Sequence, residues 1–197
     1  MLATLGEPPQ GGSQGLAVEF KWDGVRCIAE NRSETTRLFS RNSNNFSSSY
    51  PELVAAIPDI LDGRSAVLDG EIVALDPKGR PSFSRLQRRM HVQKPTGQLV
   101  AATPAQFYVF DILELDGQDT TRLPYLERRE ILDELALSGK SVQTPPFWTN
   151  VDIQAMLDTA KEHGLEGIVT KRVTSTYQPG RRSPAWRVNC TRRAVTG

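Results

Sequence analysis

Strand-like and helix-like segments follow each other in an irregular order along this chain, and this order restricts the fold more than any other feature of the sequence. The most strand-like segment is residues 107–115 (FYVFDILEL), and amphipathic helices are predicted over residues 125–137 and 152–163. A doubly wound parallel sheet requires a regular alternation of strands and helices. We therefore predict an α+β fold in which antiparallel sheets are flanked by helices.

The remaining predicted elements are short and are separated by turn signals. The Asp-Gly pairs at residues 23–24 and 116–117 predict tight turns. Pro51 suits the first turn of a helix, and another helix is predicted to begin at residues 81–82. Strands are predicted at residues 16–21, 25–29, 35–40, 166–172 and 184–190, with two short strands around residues 69–71 and a loop over residues 94–106.

Length and composition favour one globular domain over residues 1–197. Of the 197 residues, 38% are hydrophobic and 24% are charged, which suits a chain that buries a core and argues against wholesale disorder. No segment approaches the roughly 18 apolar residues of a membrane span, and the N-terminal residues lack the apolar stretch of a secretory signal. The two cysteines lie far apart in the chain, which favours a reducing compartment. We therefore expect a cytoplasmic protein without a membrane partner.

The net charge of +1 conceals an uneven distribution of charge. Residues 167–197 contain seven basic residues and no Asp or Glu, whereas residues 1–166 hold 17 basic residues against 23 acidic ones. Such a basic strip is either a contact surface for a phosphate-bearing partner or a solvated tail, and charge alone supports both interpretations equally. Its members are Lys171, Arg172, Arg181, Arg182, Arg187, Arg192 and Arg193.

Lys21 lies in the segment of residues 19–26 (EFKWDGVR), at the end of a predicted strand. The Asp-Gly turn at residues 23–24 begins two residues later. A strand end holds a lysine on a rigid element while its amine faces the loops, and a deprotonated lysine is a competent nucleophile. Arg26 follows the turn, and its planar guanidinium suits phosphate or ribose oxygens. The alternative interpretation is a surface lysine beside a hairpin turn, and a motif this short leaves both open.

Five segments together carry a resemblance that none of them carries alone. They are residues 21–26 (KWDGVR), 40–42 (SRN), 68–73 (LDGEIV), 107–111 (FYVFD) and 166–171 (EGIVTK). In this order they resemble motifs I, Ia, III, IIIa and IV of the covalent nucleotidyltransferases, which comprise ATP-dependent DNA ligases, RNA ligases and mRNA capping enzymes.

The segments that flank these motifs narrow the resemblance. They are similar to the ligase domain of bacterial DNA ligase D and its relatives, and RNA ligases and capping enzymes match them less well. The flanking segments are residues 1–4 (MLAT), 50–53 (YPEL), 87–90 (QRRM) and 177–183 (YQPGRRS).

The resemblance implies both a fold and a reaction. The implied fold is that of the adenylation domain of DNA ligases. In the implied reaction, Lys21 attacks the α-phosphate of ATP, releases pyrophosphate and becomes lysyl-AMP. AMP then passes to the 5′-phosphate of a DNA nick, and the 3′-hydroxyl displaces AMP to seal the strand in DNA repair or recombination.

The resemblance also implies a role for each motif residue. Lys21 is the nucleophile, Phe110 stacks on the adenine, and Glu19 meets the adenine edge. Mg²⁺ or Mn²⁺ is the implied metal, because carboxylate oxygens suit such cations and the cation meets charge that develops on phosphate. The implied nucleotide-binding residues are Glu19, Arg26, Arg41, Glu71, Phe110 and Lys171, with Lys171 near the α-phosphate, and the implied metal ligands are Glu71 and Glu166.

Each implied role stands beside a plainer interpretation of the same residue. Phe110 fits an ordinary core position, and Glu71 and Glu166 fit exposed carboxylates at strand ends. The arginines and Glu19 fit solvated positions. We interpret Asp23 and Asp69 as turn-shaping residues, because Asp before Gly commonly shapes a turn.

Motif V departs from the family pattern. The family usually has Trp-x-Lys-x-Lys, whereas residues 186–190 read WRVNC, so that Val188 and Cys190 replace both lysines. Those lysines are expected at the α-phosphate, where valine supplies no charge. Arg187 could replace one of them only through a register slip of one residue, which would turn its side chain to the opposite face of the strand. The other candidates are Lys171, Arg192 and Arg193.

The chain ends at Gly197, about where the adenylation domain of a ligase ends. We therefore expect neither the C-terminal OB-fold domain nor its motif VI. Because that domain closes over ATP and clamps DNA in the family, the isolated chain is expected to bind nucleotide better than it adenylates itself. Nicked or broken double-stranded DNA is the expected partner, with a separate OB-fold or end-joining protein as a further candidate.

Two other interpretations of the function stay open. One is a degenerate or truncated module that binds nucleotide or DNA without full ligase activity, which the motif V replacements favour. The other is an RNA-ligase or capping-type nucleotidyltransferase, which would differ in its substrate.

Overall fold

The computed structural model describes residues 1–7, 12–33 and 35–191. Its strands are β1 (Leu2–Leu5), β2 (Leu16–Lys21), β3 (Val25–Arg32), β4 (Thr35–Ser40), β5 (Ala66–Ala74), β6 (Ala105–Leu115), β7 (Gln118–Asp119), β8 (Val142–Gln143), β9 (Trp148–Thr149), β10 (Gly167–Arg172) and β11 (Arg182–Cys190). Its α-helices are α1 (Pro51–Ile60), α2 (Phe83–Met90), α3 (Gly97–Ala102), α4 (Tyr125–Glu134) and α5 (Ile153–Glu162). The chain divides into two compact units, each with a sheet of its own.

The first unit consists of Met1–Trp22, Arg122–Glu127 and Pro146–Gly197. Its five-stranded sheet has the order β1-β11-β10-β2-β9. β10 lies in the middle of this sheet and pairs antiparallel with both β2 and β11, whereas β1 pairs parallel with β11. The two motif-bearing strands β2 and β10 are therefore neighbours, although they lie far apart in the sequence.

Helix α5 supplies much of the apolar core of the first unit. The Asp152 carboxylate accepts hydrogen bonds from the backbone N–H groups of Gln154 and Ala155 and so caps the N-terminus of the helix. Gly164 follows the helix with a φ of 70°, a conformation that ends many helices. The buried residues of this core are Val18, Ile153, Leu157, Ala160 and Ile168.

The second unit consists of Asp23–Thr121 and Arg128–Pro145. Its sheet has the order β4-β3-β5-β6-β7, and β8 also pairs with β6. All neighbours are antiparallel except β6 and β8. Asp116 and Gly117 join β6 to β7 with φ values of 49° and 81°, as a two-residue hairpin turn with two positive φ angles requires. The largest buried residues of its core include Leu38, Tyr50, Leu53, Ile57, Leu61 and Phe107.

The arginine-rich helix α2 is anchored in the second unit by one buried side chain. Arg89 is fully buried and forms an ion pair with Glu52 of α1. It also donates hydrogen bonds to the carbonyl oxygens of Thr103 at 3.0 Å and Ser49 at 2.7 Å. Through the partners of its two terminal nitrogens, Arg89 joins α2 to α1, while Arg88 of the same helix is exposed.

The predicted α+β class is confirmed. The sheets are mixed rather than wholly antiparallel, because β1 with β11 and β6 with β8 pair in parallel. The predicted bounds of β2 and β4 match those of the structure. The part of the chain that the structure describes contains no OB-fold domain. Within the same part, no helix is both long and apolar enough to cross a membrane.

Some local predictions were wrong. Residues 94–106 contain α3 and the start of β6 instead of a loop, and the Thr96 side chain caps α3 by accepting a hydrogen bond from the Leu99 N–H group. Residues 66–74 form one continuous strand that pairs with β3 without a register shift, so the predicted division around residues 69–71 was wrong. Strand β1 was not predicted, because it depends on pairing with the distant β11.

Candidate active site

Three neighbouring strands of the first unit share a face that carries most of its charged motif residues. Residues that pair directly across neighbouring strands point to the same face of a sheet. Exposure falls along this face from Lys21, whose side chain is 30% exposed, to the buried Lys171 and Trp186. Across β2, β10 and β11, the three rows of this site face are Lys21-Gly167-Cys190, Glu19-Val169-Val188 and Ala17-Lys171-Trp186.

Lys21 lies at the exposed end of the site face. Its Nζ forms an ion pair with the Glu166 carboxylate, which is itself 43% exposed. Gly167 lies opposite Lys21, and a Cβ atom added there would lie 2.0 Å from the carbonyl oxygen of Asn189. Only glycine allows β11 to approach this closely. The Glu-Gly pair of motif IV therefore places a carboxylate beside Lys21 and brings the next strand close behind it.

Lys171 lies at the buried end of the same face. Its Nζ lies 2.8 Å from Oε1 of Glu19, and the two side chains are only 2% and 6% exposed. The hydroxyl group of Tyr125 donates a hydrogen bond to the same oxygen. Nζ of Lys171 also lies 4.1 Å from the centroid of the nearest ring of Trp186 and 5.0 Å from that of Tyr125. A buried cation is thus held by a carboxylate and two aromatic faces.

Arg26, a motif residue of the second unit, is anchored by a buried carboxylate. Its guanidinium donates to both carboxylate oxygens of Asp69, which is fully buried. The same guanidinium lies over the ring of Phe110, with Cζ 4.8 Å from the ring centroid. Asp69 lies inside β5 and not in a turn, so the turn-shaping role predicted for it is wrong. It holds Arg26 instead.

Asp23 and Gly24 of motif I both make close contacts within the second unit. The Asp23 carboxylate accepts a hydrogen bond from the backbone N–H of Phe83 at 3.1 Å, at the first residue of α2. A Cβ atom on Gly24 would lie 2.2 Å from the carbonyl oxygen of Ile72. Packing therefore requires glycine at position 24, and Asp23 holds the start of α2 through its hydrogen bond.

Phe110 lies on a stretch of β6 that two buried arginines support. Arg128 donates to both oxygens of Asp111, at 2.7 and 2.9 Å, and both residues are fully buried. Arg129 donates to the carbonyl oxygens of Phe110 at 3.3 Å and Pro145 at 2.9 Å. Phe110 is 9% exposed, so little of its surface meets solvent, and its carbonyl oxygen and the neighbouring Asp111 side chain are each held by a buried arginine.

Arg41, Glu71 and Cys27 occupy different environments around this sheet. Arg41 is exposed in the turn after β4. Glu71 is half-buried on β5, directly between Arg26 of β3 and Tyr108 of β6 in the strand register. Burial and, secondarily, the charge of Asp69 raise the pKa of the Cys27 thiol well above its usual value. This thiol therefore stays neutral and behaves as a small core residue.

The structure shows where Val188 and Cys190, which replace the two lysines of motif V, lie on the sheet. Strands β10 and β11 pair in one continuous register from Gly167 with Cys190 to Lys171 with Trp186, so no slip brings Arg187 onto the site face. Val188 lies in the row of Glu19, and Cys190 lies in the row of Lys21. Of the other candidate replacements, Lys171 is paired with Glu19, and Arg192 and Arg193 lie outside the described residues.

The donor groups fit a divalent cation that arrives with a phosphate ligand. Within the described ranges 1–7, 12–33 and 35–191, no group of three or more His, Cys, Asp or Glu residues could hold a metal ion. Mg²⁺ in phosphate-transfer sites commonly takes one or two carboxylates and completes its shell with water and substrate phosphates. Glu166, exposed at the site face, and the half-buried Glu71 each fit such a single-carboxylate ligand.

The structure divides the predicted site residues between the two units. Those of the first unit lie on β2, on β10 and at the residue immediately before β10, and they form two ion pairs. In the second unit, the Arg26 guanidinium lies on the Phe110 ring, and Glu71 lies beside Arg26 in the strand register. The first-unit set is Glu19, Lys21, Glu166 and Lys171, and the second-unit set is Arg26, Arg41, Glu71 and Phe110.

Sequence reasoning missed three residues that hold the predicted ones in place. Tyr125 binds Glu19, and Asp69 binds Arg26. Trp186 packs against the ammonium of Lys171. The Asp69 partnership had a local signal, since period-two alternation places Asp69 on the same face as the motif residue Glu71. Tyr125 had none, because its contact to Glu19 spans 106 residues.

Comparison with solved structures matches this architecture to one class of enzyme. A mycobacterial DNA ligase D solved in complex with ATP and MES matches with a TM-score of 0.83 at 36% sequence identity. The match covers 96% of this chain and 59% of that chain. The fold is therefore that of a ligase-type nucleotidyltransferase domain.

Comparison with protein families gives the particular family. The family model described as ATP dependent DNA ligase domain matches residues 9–187, and the chain belongs to that family. The multifunctional non-homologous end joining DNA repair protein LigD of Mycobacterium tuberculosis is 38% identical over 186 residues. A probable DNA ligase of Dictyoglomus thermophilum is 36% identical over 176 residues. The chain covers 23% of the first protein and 30% of the second.

Proposed function

We propose that residues 1–197 act as one adenylation domain of an ATP-dependent DNA ligase, with Lys21 as the residue that becomes covalently adenylated. The observation that supports this most directly is the position of Lys21. Its amine is exposed at the end of β2, in contact with the motif IV carboxylate of Glu166, in a chain of the ligase family. A carboxylate-paired lysine is common on protein surfaces, and the ordered set of motifs around this one distinguishes it.

The proposed first step is a displacement at phosphorus. The contact between Lys21 Nζ and Glu166 must break, and the ammonium must lose a proton to solvent before its lone pair is free. Nζ then forms a bond to the α-phosphorus of ATP while the bond to the bridging oxygen breaks, pyrophosphate leaves, and the bonded nitrogen loses a second proton to solvent. An oxygen of the 5′-phosphate of a DNA strand break then bonds to the phosphorus of AMP while the bond to Nζ breaks and Nζ regains a proton. Finally the 3′-hydroxyl loses its proton and attacks the 5′-phosphate, and AMP leaves.

The nucleotide-binding roles follow from the chemistry of each side chain. Phe110 offers a ring face for the adenine, and Glu19 offers a carboxylate to its edge. Arg26 and Arg41 offer guanidinium donors to ribose or phosphate oxygens. Glu71 and Lys171 are the remaining residues that we propose to bind the nucleotide.

We propose Mg²⁺ or Mn²⁺ as the metal, with Glu71 and Glu166 each as a candidate ligand. When bound, the cation would neutralise negative charge on the phosphates. Glu71 and Glu166 would each offer the cation a single carboxylate.

Nicked or broken double-stranded DNA is the proposed partner. The names of the relatives support it, since they include DNA ligases and an end-joining DNA repair protein. Exposed Arg181 and Arg182 at the start of β11 are candidate phosphate contacts. A separate OB-fold or end-joining protein is a further proposed partner, and DNA repair or recombination in the cytoplasm is the proposed setting.

Incubation with α-labelled ATP and Mg²⁺ tests the proposed function. We expect label that stays on the chain through denaturation and is absent from the Lys21→Ala variant. Lys161→Ala is a matched control, because Lys161 is an exposed lysine of α5 in the same unit, and it should label like the unmodified chain. Absence of label even when an OB-fold domain is added, or label that persists in Lys21→Ala, contradicts the proposal.

A second candidate function is nucleotide binding without turnover. The observation that favours it is that Val188 and Cys190 stand where the family has lysines. Calorimetry decides between the two: binding of ATP or AMP without covalent label selects the second candidate. Competition between nicked DNA, nicked RNA and GTP for the labelled intermediate tests the remaining alternative of an RNA-ligase or capping-type enzyme.

A further inference from the structure

The basic side chain of Lys171 is buried inside the first unit and has almost no contact with solvent. It is 1% exposed and ranks among the largest fully buried side chains of the described residues. Burial of an ammonium is costly unless an opposite charge and further polar contacts compensate it. Its ion pair with Glu19 and the ring faces of Trp186 and Tyr125 supply that compensation. The position is therefore built around the lysine.

The two aromatic side chains fix where the ammonium lies. Nζ is 4.1 Å from the Trp186 ring centroid and 5.0 Å from the Tyr125 ring centroid. Trp186 is in turn held by an edge contact with Tyr177, at 5.8 Å between ring centroids. Because a cation is attracted to the face of each ring, Nζ has little freedom to leave Glu19. This arrangement differs from Lys21, which can turn toward solvent.

The consequence falls on Glu19. Lys171 Nζ and the Tyr125 hydroxyl both donate to Oε1, so two donors from different directions hold one oxygen of the carboxylate. These two donors anchor Oε1 and thereby fix the direction in which the other carboxylate oxygen, Oε2, points.

We propose that Lys171 is a positioning residue for base selection: together with Tyr125 it anchors Oε1 of Glu19, so that Oε2 is aimed at a hydrogen-bond donor on the purine edge. The ligand class is a 6-aminopurine nucleotide, whose exocyclic amine supplies that donor. This inference rests on the proposed function for the role of Glu19. In this inference Lys171 affects recognition of the base. If Lys171 instead contacted the α-phosphate, it would affect all nucleoside triphosphates equally, because they share that phosphate.

The test compares ATP with purine riboside 5′-triphosphate, which has the same phosphates and sugar and lacks the 6-amino group. Dissociation constants for both nucleotides are measured by calorimetry on the unmodified chain and on Lys171→Met. We expect the unmodified chain to prefer ATP by about tenfold or more, as the loss of a hydrogen bond to a charged group predicts. In Lys171→Met the preference should fall below about threefold through loss of ATP affinity alone.

Two further variants keep the test decisive. Tyr125→Phe removes only the second donor to Oε1 and keeps the ring beside Lys171, so it should fold normally and lower the preference for ATP by an intermediate factor. Lys161→Met alters an exposed lysine of the same unit and should leave the preference unchanged. Circular dichroism on each variant establishes that the fold is retained, and Tyr125→Phe decides the question if Lys171→Met does not fold.

The possible outcomes separate this inference from the proposed function. Equal losses of affinity for both nucleotides in Lys171→Met would assign the lysine to the phosphates and overturn the inference. A preference for ATP that is intact in the folded variants would overturn it as well. In both cases, covalent labelling of Lys21 in the unmodified chain would leave the proposed function standing. An unmodified chain that binds neither nucleotide overturns both.

Discussion

The two ends of the site face carry the same kind of ion pair in opposite environments. At one end Lys21 and Glu166 are 30% and 43% exposed. At the other end Lys171 and Glu19 are 2% and 6% exposed. Both lysines lie on the same face of adjoining strands, and each is paired with a glutamate of the neighbouring strand or its edge. Burial, and not the identity of the residues, distinguishes the two pairs.

The difference matters because the two proposed roles need opposite properties. A nucleophile must leave its carboxylate partner and reach phosphorus, and an exposed ion pair is weak enough to break, contributing about 0 to 1 kcal/mol. A positioning residue must keep one geometry, and a buried pair resists disruption because each separated charge would lie in an apolar environment. The gradient of exposure along the site face therefore suits a mobile reactive lysine at one end and a fixed one at the other.

The largest expected difference between the two ends is in covalent labelling. Lys21→Ala should lower labelling by α-labelled ATP at least about a thousandfold, because it removes the amine that we propose as the nucleophile. Lys171→Met, at saturating ATP, should label within about tenfold of the unmodified chain, because its effect falls on binding of the base. Single-turnover labelling with quantified gels measures both. A folded Lys171→Met variant with no label would break the comparison.

The second expected difference is in the free energy of unfolding, where the substitution of Lys171 should have a larger effect than that of Lys21. Lys171→Met should lower the free energy of unfolding by about 3 kcal/mol, because it leaves the Glu19 carboxylate buried without its cation. Lys21→Met should change it by less than about 1 kcal/mol, since Glu166 stays hydrated. Urea unfolding monitored by circular dichroism measures both values. Equal effects of the two substitutions would show that burial does not distinguish the pairs.

The sequence predicts the reactive role of Lys21 but not the buried ion pair of Lys171 with Glu19. Period-two alternation places Glu19 with Lys21, and Val169 with Lys171, on common faces of their strands. The motif order also indicates that Lys21 is reactive. The pairing of Lys171 with Glu19 spans 152 residues, and no local pattern contains it. The sequence therefore gives Lys171 a phosphate role by position in the motif, whereas its burial is visible only in the folded chain.

The same limit explains which parts of the fold were predicted. Strands β2 and β4 and the caps of α5 carry their signals locally, in alternation, in Asp152 and in Gly164. Strand β1 exists because β11 pairs with it, and Tyr125 matters because its hydroxyl meets Glu19. Both depend on contacts between distant segments, which propensity and periodicity do not encode.

A third prediction concerns the row positions on β11. Cys190 is exposed in the row of Lys21, and Val188 is half-buried in the row of Glu19. Restoring both family lysines, Val188→Lys with Cys190→Lys, should raise the labelling rate about tenfold if added cations meet charge on the phosphates. Single variants assign the gain. An unchanged rate in the folded double variant would show that the missing lysines do not limit this chain.

The loss of stability caused by each introduced lysine should be larger at the less exposed position. Cys190→Lys should be nearly neutral, whereas Val188→Lys should cost about 1 kcal/mol, since part of an apolar side chain is replaced by a charged one. Val188→Met is the matched control for the change of length without charge. A larger cost at Cys190 than at Val188 would contradict the gradient.

The smallest expected effect is the response of the two ion pairs to salt. Double-mutant cycles with Lys→Met and Glu→Gln give one coupling energy for Lys21 with Glu166 and another for Lys171 with Glu19. At about 1 M salt the screening length falls to roughly 3 Å, which weakens exposed pairs and leaves buried ones largely unscreened. The exposed coupling should fall from about 0.5 kcal/mol toward zero, while the buried coupling, expected at about 2 kcal/mol, should change by less than about a quarter. If both couplings fell by the same fraction, ions would reach Lys171 as readily as Lys21, and the fixed end of the site face would be as accessible as its reactive end.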